Sequence, residues 1–158
     1  MKPRFDYFHA SPRAAQAMLA LQACVNESGL EQDLLALVKM RASQMNGCAF
    51  CLDMHSKDAR AAGETEQRLY LLDAWREAPF YSERERAALA WTEAVTRIGE
   101  DHVPDDLYAS TREHFGEEEL VNLTLAVVAI NGWNRLAIAF RAETGHYRPG
   151  MFKRTKAA

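Results

Sequence analysis

The sequence predicts an all-α, single-domain fold of about six to seven helices. Three observations carry that expectation. Strand signals are nearly absent, since no run alternates β-branched and polar residues between turn dipeptides. Helical punctuation is abundant, and the segments between stops place apolar residues at spacings of three and four. At 158 residues, with 48% hydrophobic and 26% charged residues, the chain has the size and balance of a globular domain that buries roughly two-thirds of its unfolded surface. No linker, repeat or low-complexity tract divides it, so residues 1–158 read as one domain.

Each element follows from its own signals. Ser11 and Pro12 open the first helix, with proline in the first turn, where its missing N–H costs nothing. Ala17, Met18, Leu21, Cys24 and Val25 form its apolar stripe, and Gly29 ends it. A second helix runs from about Leu30 to Met45, apolar at Leu34, Leu37 and Val38, and is broken by Asn46-Gly47. The third begins at or near Cys48 and runs to Gly63, a glycine suited to a left-handed cap. Residues 65–78 suggest a fourth helix, stopped before Pro79.

Ser82 and Glu85 have the spacing of a capping box, in which each side chain reaches a backbone N–H at the helix start. Ala87, Ala88, Trp91, Ala94, Val95 and Ile98 follow, before Gly99. A shorter helix follows Pro104 and ends near Gly116. The last runs from Glu117 toward Gly145, its acidic start favoured by the helix dipole.

Charge and hydropathy exclude several classes of function. The net charge is −3 and the basic residues are scattered, so no concentrated basic surface exists to neutralise phosphates, and no nucleic-acid partner is expected. The stretch from Leu120 to Phe140 is the one candidate for a membrane span. Asn122, Asn131, Asn134 and Arg135 interrupt it, so it reads as a buried helix and no membrane is expected. The N-terminal residues MKPRFDYFHASPR lack the apolar run of a signal peptide. The expected compartment is the reducing cytoplasm, where a permanent disulfide is disfavoured.

Chemistry concentrates in RASQMNGCAFCLDMHSKDAR, residues 41–60. Two of the three cysteines, Cys48 and Cys51, stand three positions apart, and His55 follows four after the second. If residues 48–55 are helical, all three share a narrow face at 100° per residue. A cysteine at a helix start meets unpaired N–H groups and the positive end of the dipole, which favour thiolate. A second thiol in reach and a group that titrates near neutrality complete the ingredients of redox cysteine chemistry. Two readings compete. The cysteines could pack as small hydrophobes, or Cys48, Cys51 and His55 could ligate zinc. Zinc lacks a fourth ligand, because there is no second Cys-x-x-Cys and Cys24 fits the stripe of its own helix.

Other polar residues carry weaker signals. Asn131 and Asn134 are expected to satisfy interhelical hydrogen bonds and Arg135 to pair with a carboxylate, while Trp133 could instead wall a pocket above the cysteines. His9, His102, His114 and His146 occur singly, without ligand spacing.

The stretch RASQMNGCAFCLDMHSKDARAAG resembles the signature of the alkylhydroperoxidase D-like (AhpD-like) branch of the carboxymuconolactone decarboxylase superfamily: a hydrophobic helix, then NGCxxC, then three residues and His. SPRAAQAMLALQ, ERAALAWTEAVTRI and INGWNRLAIAF resemble its flanking helices. The resemblance implies a helical fold that assembles as a homo-oligomer, trimer or hexamer. It implies peroxidase or disulfide-reductase activity in antioxidant defence, with no bound cofactor or metal. Cys51 would attack the hydroperoxide, Cys48 would resolve the sulfenic acid as a disulfide, and His55 would relay protons. An external dithiol such as a lipoyl protein would restore the pair. Helix position alone favours Cys48 as the more acidic thiol, whereas proximity to His55 favours Cys51. The family's relay glutamate falls at Ala36 here. Glu93 is the conceivable substitute, although its helix phase suggests a solvated surface residue. The alternatives are a redox sensor or interaction module whose disulfide alters its assembly, and a decarboxylase of the same superfamily.

Overall fold

The structure, a computed structural model, describes residues 2–152; the first residue and the last six of the expected domain lie outside the described residues. Nine α-helices follow one another, with no strand among the described residues: α1 Tyr7–Ala10, α2 Pro12–Asn26, α3 Gln32–Asn46, α4 Ala49–Ala61, α5 Glu66–Leu71, α6 Glu83–Thr96, α7 Ile98–Asp101, α8 Asp105–Arg112 and α9 Glu117–Phe140. The all-helical expectation holds.

The centre of the molecule is α3, which packs against α4, α6 and α9. Its sequence explains the position, because Leu34, Leu35, Leu37, Val38, Met40 and Ala42 leave it apolar on nearly every side, as a surrounded helix must be. Leu34, Leu35 and Val38 join Val25, Ala88, Phe115, Leu123 and Val127 in one core cluster. Leu37 and Met40 join Leu69, Leu72, Trp75, Tyr81 and Leu89 in another. By length and composition α9 could cross a membrane. Here it runs through the core, where Leu120, Leu123, Ala126, Val127 and Ile130 are buried against neighbours that include α2, α3 and α6.

Several boundaries differ from the sequence expectation. The fourth segment is helical only over α5, capped by the Thr65 hydroxyl, before a 3₁₀ turn at Leu72–Ala74. Arg86 of α6 holds the chain beyond that turn by donating to the carbonyls of Trp75, Arg76 and Ala78. The last helix stops at Phe140, where Arg141 adopts a left-handed cap. The chain then folds back over α4, with the Gly145 N–H donating to Asp53 and the Tyr147 hydroxyl to Asp58. Helices α1 and α7 have four residues each, too few to show a helical period. Ser11 stands at the start of α2 without a side-chain cap bond. Cys24 is exposed rather than part of a buried stripe; α2 buries Ala15 and Val25 instead. The capping box is present, with Ser82 Oγ accepting from the Glu85 N–H at 3.3 Å and Glu85 accepting from the Ser82 N–H at 2.7 Å.

One turn positions the cysteine helix. Gly47 caps α3 with φ +65°, its N–H on the Gln44 and Ser43 carbonyls, and the Cys48 N–H donates back to the Ser43 carbonyl at 3.0 Å. A β-carbon at Gly47 would meet nothing within 4 Å, so a substitution costs backbone strain alone. Gly47→Ala is expected to lower stability by about 1 kcal/mol. Gly47→Asn should cost less, since asparagine tolerates the left-handed region. Paired thermal denaturation of the two variants checks the order.

Candidate active site

Cys48 does not lie within the helix; it is the N-cap of α4, in extended conformation, and its Sγ accepts the Cys51 N–H at 3.4 Å. The narrow face computed for an unbroken helix therefore applies from Cys51 onward. Cys48 occupies the place usually held by serine or aspartate, where an anionic acceptor meets free N–H groups. Both sulfurs are unlinked. They are also sealed: Cys48 is 1% exposed and Cys51 2%, packed with Ala137 and against Phe50 and Ala142.

The two thiols are pushed in opposite directions. The Cys51 thiol donating to it holds Cys48 well below the ordinary thiol value of 9.0, with help from the Cys51 and Phe50 backbone N–H groups and the Asn134 side chain, against the opposing effect of burial. Donating to Cys48 raises Cys51, and burial raises it further. Of the two, Cys48 is the thiol that gives up its proton more readily and Cys51 the one that keeps it. At rest, the order is the one that helix position alone favoured.

His55 sits one turn beyond Cys51, partly buried, and no hydrogen bond joins it to either sulfur among the described residues. Burial, with the Lys39 ammonium adding to it, depresses its pKa to about 3, so the ring is neutral near pH 7. Lys39 is itself lowered by burial. Three His, Cys, Asp or Glu side chains do not converge as a metal cluster anywhere among the described residues, so Cys48, Cys51 and His55 are not arranged as a three-ligand set.

Glu93 is neither solvated nor beside the cysteines in any hydrogen bond. It accepts from Arg41 Nε at 2.7 Å and from the Trp75 indole at 2.8 Å, and pairs with Arg76 at 2.6 Å. Arg41, buried on α3, also binds Asp73. Three donors hold the Glu93 carboxyl below the usual range although burial opposes them. Its role is to tie α3, α6 and the turn after α5 together.

The residue that sequence reasoning underrated is Asn134, completely buried on α9. Its amide oxygen accepts from Asn46 Nδ2 at 2.8 Å and its nitrogen donates to Ser43 Oγ at 3.1 Å. Asn46 also donates to Asn131, which in turn donates to Thr96. The expectation that the asparagines satisfy interhelical hydrogen bonds holds. The one signal available in sequence was an amide repeated at i and i+3 in an apolar helix. Among the described residues Arg135 pairs with no carboxylate; it donates to the Asn131 carbonyl and amide oxygens. Trp133 turns to Gln22 and stacks on Phe8 rather than walling the cysteines. Tyr7 lies close enough to the pair that the sulfurs, after burial, help push its pKa up to about 12. An open cleft of about 440 Å³ between α3, α6 and α9 is lined by Asn46, Thr96, Arg97 and Arg135; neither cysteine lines it.

The profile of the carboxymuconolactone decarboxylase family matches residues 8–94. The uncharacterized protein YdfG of Bacillus subtilis is 47% identical over 139 residues, covering 88% of this chain and 95% of that protein. A crystal structure of ATU0492 from Agrobacterium tumefaciens, a protein of unknown function suggested to be the antioxidant-defence protein AhpD, superposes with TM-score 0.89 at 49% identity, over 92% of this chain and all of that one. The debrominase Bmp8 has the same fold, with TM-score 0.79 at 21% identity, over 88% of this chain and 75% of that one.

Two measurements follow. With Cys24→Ser silencing the exposed thiol, alkylation of the reduced protein should half-titrate below the ordinary thiol pH of 9.0, because a depressed value means thiolate already forms as pH rises toward it; Cys48→Ser should abolish that early phase. Glu93→Ala should lower stability by about 3 kcal/mol, since it removes the buried carboxylate partner of Arg41 and the acceptor of the Trp75 indole and leaves Arg41 only the exposed carboxylate of Asp73, while leaving that titration in place. Urea denaturation beside the alkylation profile checks both.

Proposed function

Because the chain belongs to the carboxymuconolactone decarboxylase family, as one of its AhpD-like members, we propose that it is a thiol-dependent hydroperoxide reductase of antioxidant defence. The fold by itself does not choose the reaction, since a debrominase shares it. The observation that carries the reading is the pair of free cysteines buried side by side, with the sulfur of Cys48 capping α4 on the Cys51 N–H.

The more acidic Cys48 fits attack by Cys51. Cys48, packed beside Cys51 and held below the ordinary thiol value, serves as the base that frees the attacking thiol. Cys51 Sγ bonds to the distal oxygen of R–O–O–H, the O–O bond breaks, and the thiol proton passes to Cys48. Cys51 becomes a sulfenic acid and the alkoxide takes a proton from solvent to leave as alcohol. The Cys48 sulfur then attacks Cys51, and its proton leaves with the hydroxyl as water. The sulfurs lose two electrons and the peroxide gains two. His55, neutral and one turn away, accepts and returns protons around the pair. Ala36 cannot, so turnover is slow; general-base help is worth roughly a hundredfold.

Reduction uses the same asymmetry. An external dithiol attacks Cys51, and Cys48 leaves as the better thiolate. The second thiol of the donor then releases Cys51, which is why a dithiol, such as a lipoyl-bearing protein, suits the site and no bound cofactor is needed. Val121 and Val128 stand exposed along α9, which supports self-association; a trimer or hexamer is what the family resemblance implies.

In the Cys24→Ser background with a small dithiol, the protein should consume an alkyl hydroperoxide over many turnovers. Cys48→Ser should stop at a sulfenate trapped by dimedone on Cys51, and Cys51→Ser should trap none. Sulfenate on Cys48 in Cys51→Ser would reverse the roles. Oxidation that stops after one equivalent and shifts the oligomeric state would point to a sensor instead.

A further inference from the structure

We propose that the chain beyond α9, from Ala142 to Tyr147, is a strap latched across the cysteine pair, and that its release governs which thiol partners reach the sulfurs. This rests on the reading of Cys48 and Cys51 as the reacting groups, and goes beyond it by naming the part that moves.

The enclosure requires a moving part. Cys48 is 1% exposed and Cys51 2%, so a dithiol carried on another protein touches neither sulfur while the site is closed. The residues packed with the two cysteines are Ala137, Phe50 and Ala142. Ala137 lies within α9 and Phe50 in the first turn of α4, so displacing either disturbs a helix that packs elsewhere. Ala142 stands outside the helices, in a segment with no helix or strand up to Tyr147. It is the covering residue that leaves with least disruption.

The far end of the segment is fastened to α4 by polar contacts. The Gly145 N–H donates to Asp53 at 2.9 Å, Lys57 Nζ to the Tyr147 carbonyl at 3.1 Å, and the Tyr147 hydroxyl to Asp58 at 2.8 Å. Lys57 and Asp53 pair with each other at 2.7 Å, so the attachment points are themselves tied. Burial, and then Asp58, push the Tyr147 pKa up to about 12, so the hydroxyl keeps the proton it donates. Across residues 141–152 Tyr147 alone is buried, and its ring stacks on Phe152. Tyr147 is the anchor. A segment with one buried side chain and an exposed backbone opens at lower free energy than the helices around it.

The near end supplies the hinge. Arg141 sits at φ +57°, a left-handed conformation that disfavours a residue with a β-carbon. The Ala142 N–H is held there by the Ala137 carbonyl at 2.9 Å. With Tyr147 released, Arg141 is free to leave the left-handed region and carry Ala142 off the sulfurs.

The test compares a narrow and a wide thiol reagent, iodoacetamide and a polyethylene-glycol maleimide, on the full reduced chain carrying Cys24→Ser. Modification of Cys48 and Cys51 is followed by intact mass and by gel shift. Tyr147→Phe, which removes the bond to Asp58, should speed the maleimide about fivefold, the worth of one hydrogen bond. Tyr147→Ala, which removes the ring as well, should speed it at least about tenfold, since the rate follows the population of the open form. The iodoacetamide rate should rise by less in both, because a slender reagent needs less of the cover to part. In the parent, hydrogen exchange at the Gly145 amide should outpace that at Val127, buried in α9. An unmoved maleimide rate in Tyr147→Ala overturns the proposal, as does equal acceleration of both reagents, or a Gly145 amide protected as long as that of Val127. Should circular dichroism show Tyr147→Ala unfolded, Tyr147→Phe decides, and an unmoved maleimide rate there overturns it. Peroxide enters none of these measurements, so a chain that reduces no peroxide can still give the shift, and an active peroxidase can fail to.

Discussion

The site depends on one reversal of the chain at Gly47. Because that residue is left-handed, α3 ends and α4 begins with a single residue between the glycine and the new helix. That residue is Cys48, and its sulfur is placed where the first turn of α4 has N–H groups without partners. Shift the turn by one residue and the sulfur leaves the N-cap. Its charge and its bond to Cys51 would both go with it. The surrounding architecture keeps the reversal in register: α3 below is buried on nearly all sides, α9 presses Ala137 against the sulfurs, and the C-terminal segment is fastened to α4 through Asp53, Lys57 and Asp58.

Much of this was legible in the sequence because it is local. The Asn46-Gly47 break, the Ser82–Glu85 box and the apolar stripes of α3 and α6 are written within a few residues of the structures they make. So is the pairing of Cys48 with Cys51. What could not be read depends on distant partners. Glu93 lies off the apolar face of α6, and helical phase alone assigns such a residue to solvent. Its burial comes from Arg41, 52 positions away, and from the indole of Trp75. Similarly, the 3₁₀ turn after α5 is held by Arg86, contributed by the next helix, and the end of α9 precedes any glycine because the chain is drawn back to α4. Cys24 went the other way: it had the spacing of a core residue, yet it is exposed.

The functional site divides along the same line. Residue types and spacing identified the thiols and His55, but not how charge is distributed among them. That distribution is set by an N-cap that removed Cys48 from the helical phase, and by burial, with a lysine on α3 adding to it, that discourages protonation of His55. Asn134 was visible only as an awkward amide in an apolar helix. Its partners Ser43 and Asn46 stand about ninety residues earlier, so its meaning arises from the crossing of α3 and α9.

Burial of both sulfurs creates the tension that the chemistry has to resolve. A thiolate excluded from water would ordinarily be raised in energy and reprotonate. Here the neighbouring Cys51, the N–H groups at the start of α4 and the Asn134 amide outweigh the cost of burial, and Cys48 ends below the ordinary thiol value. The same enclosure shields the thiolate from oxidants that cannot enter between Phe50, Ala137 and Ala142. It follows that reactivity and access are separate properties of this site. The dipoles around Cys48 determine how readily the pair reacts, while the packing above it determines what reaches the pair. A substrate that is slender at its reacting end meets less of that packing than a bulky one. The exchange with a protein dithiol requires the cover to part, because a disulfide can pass between two chains only when their sulfurs touch.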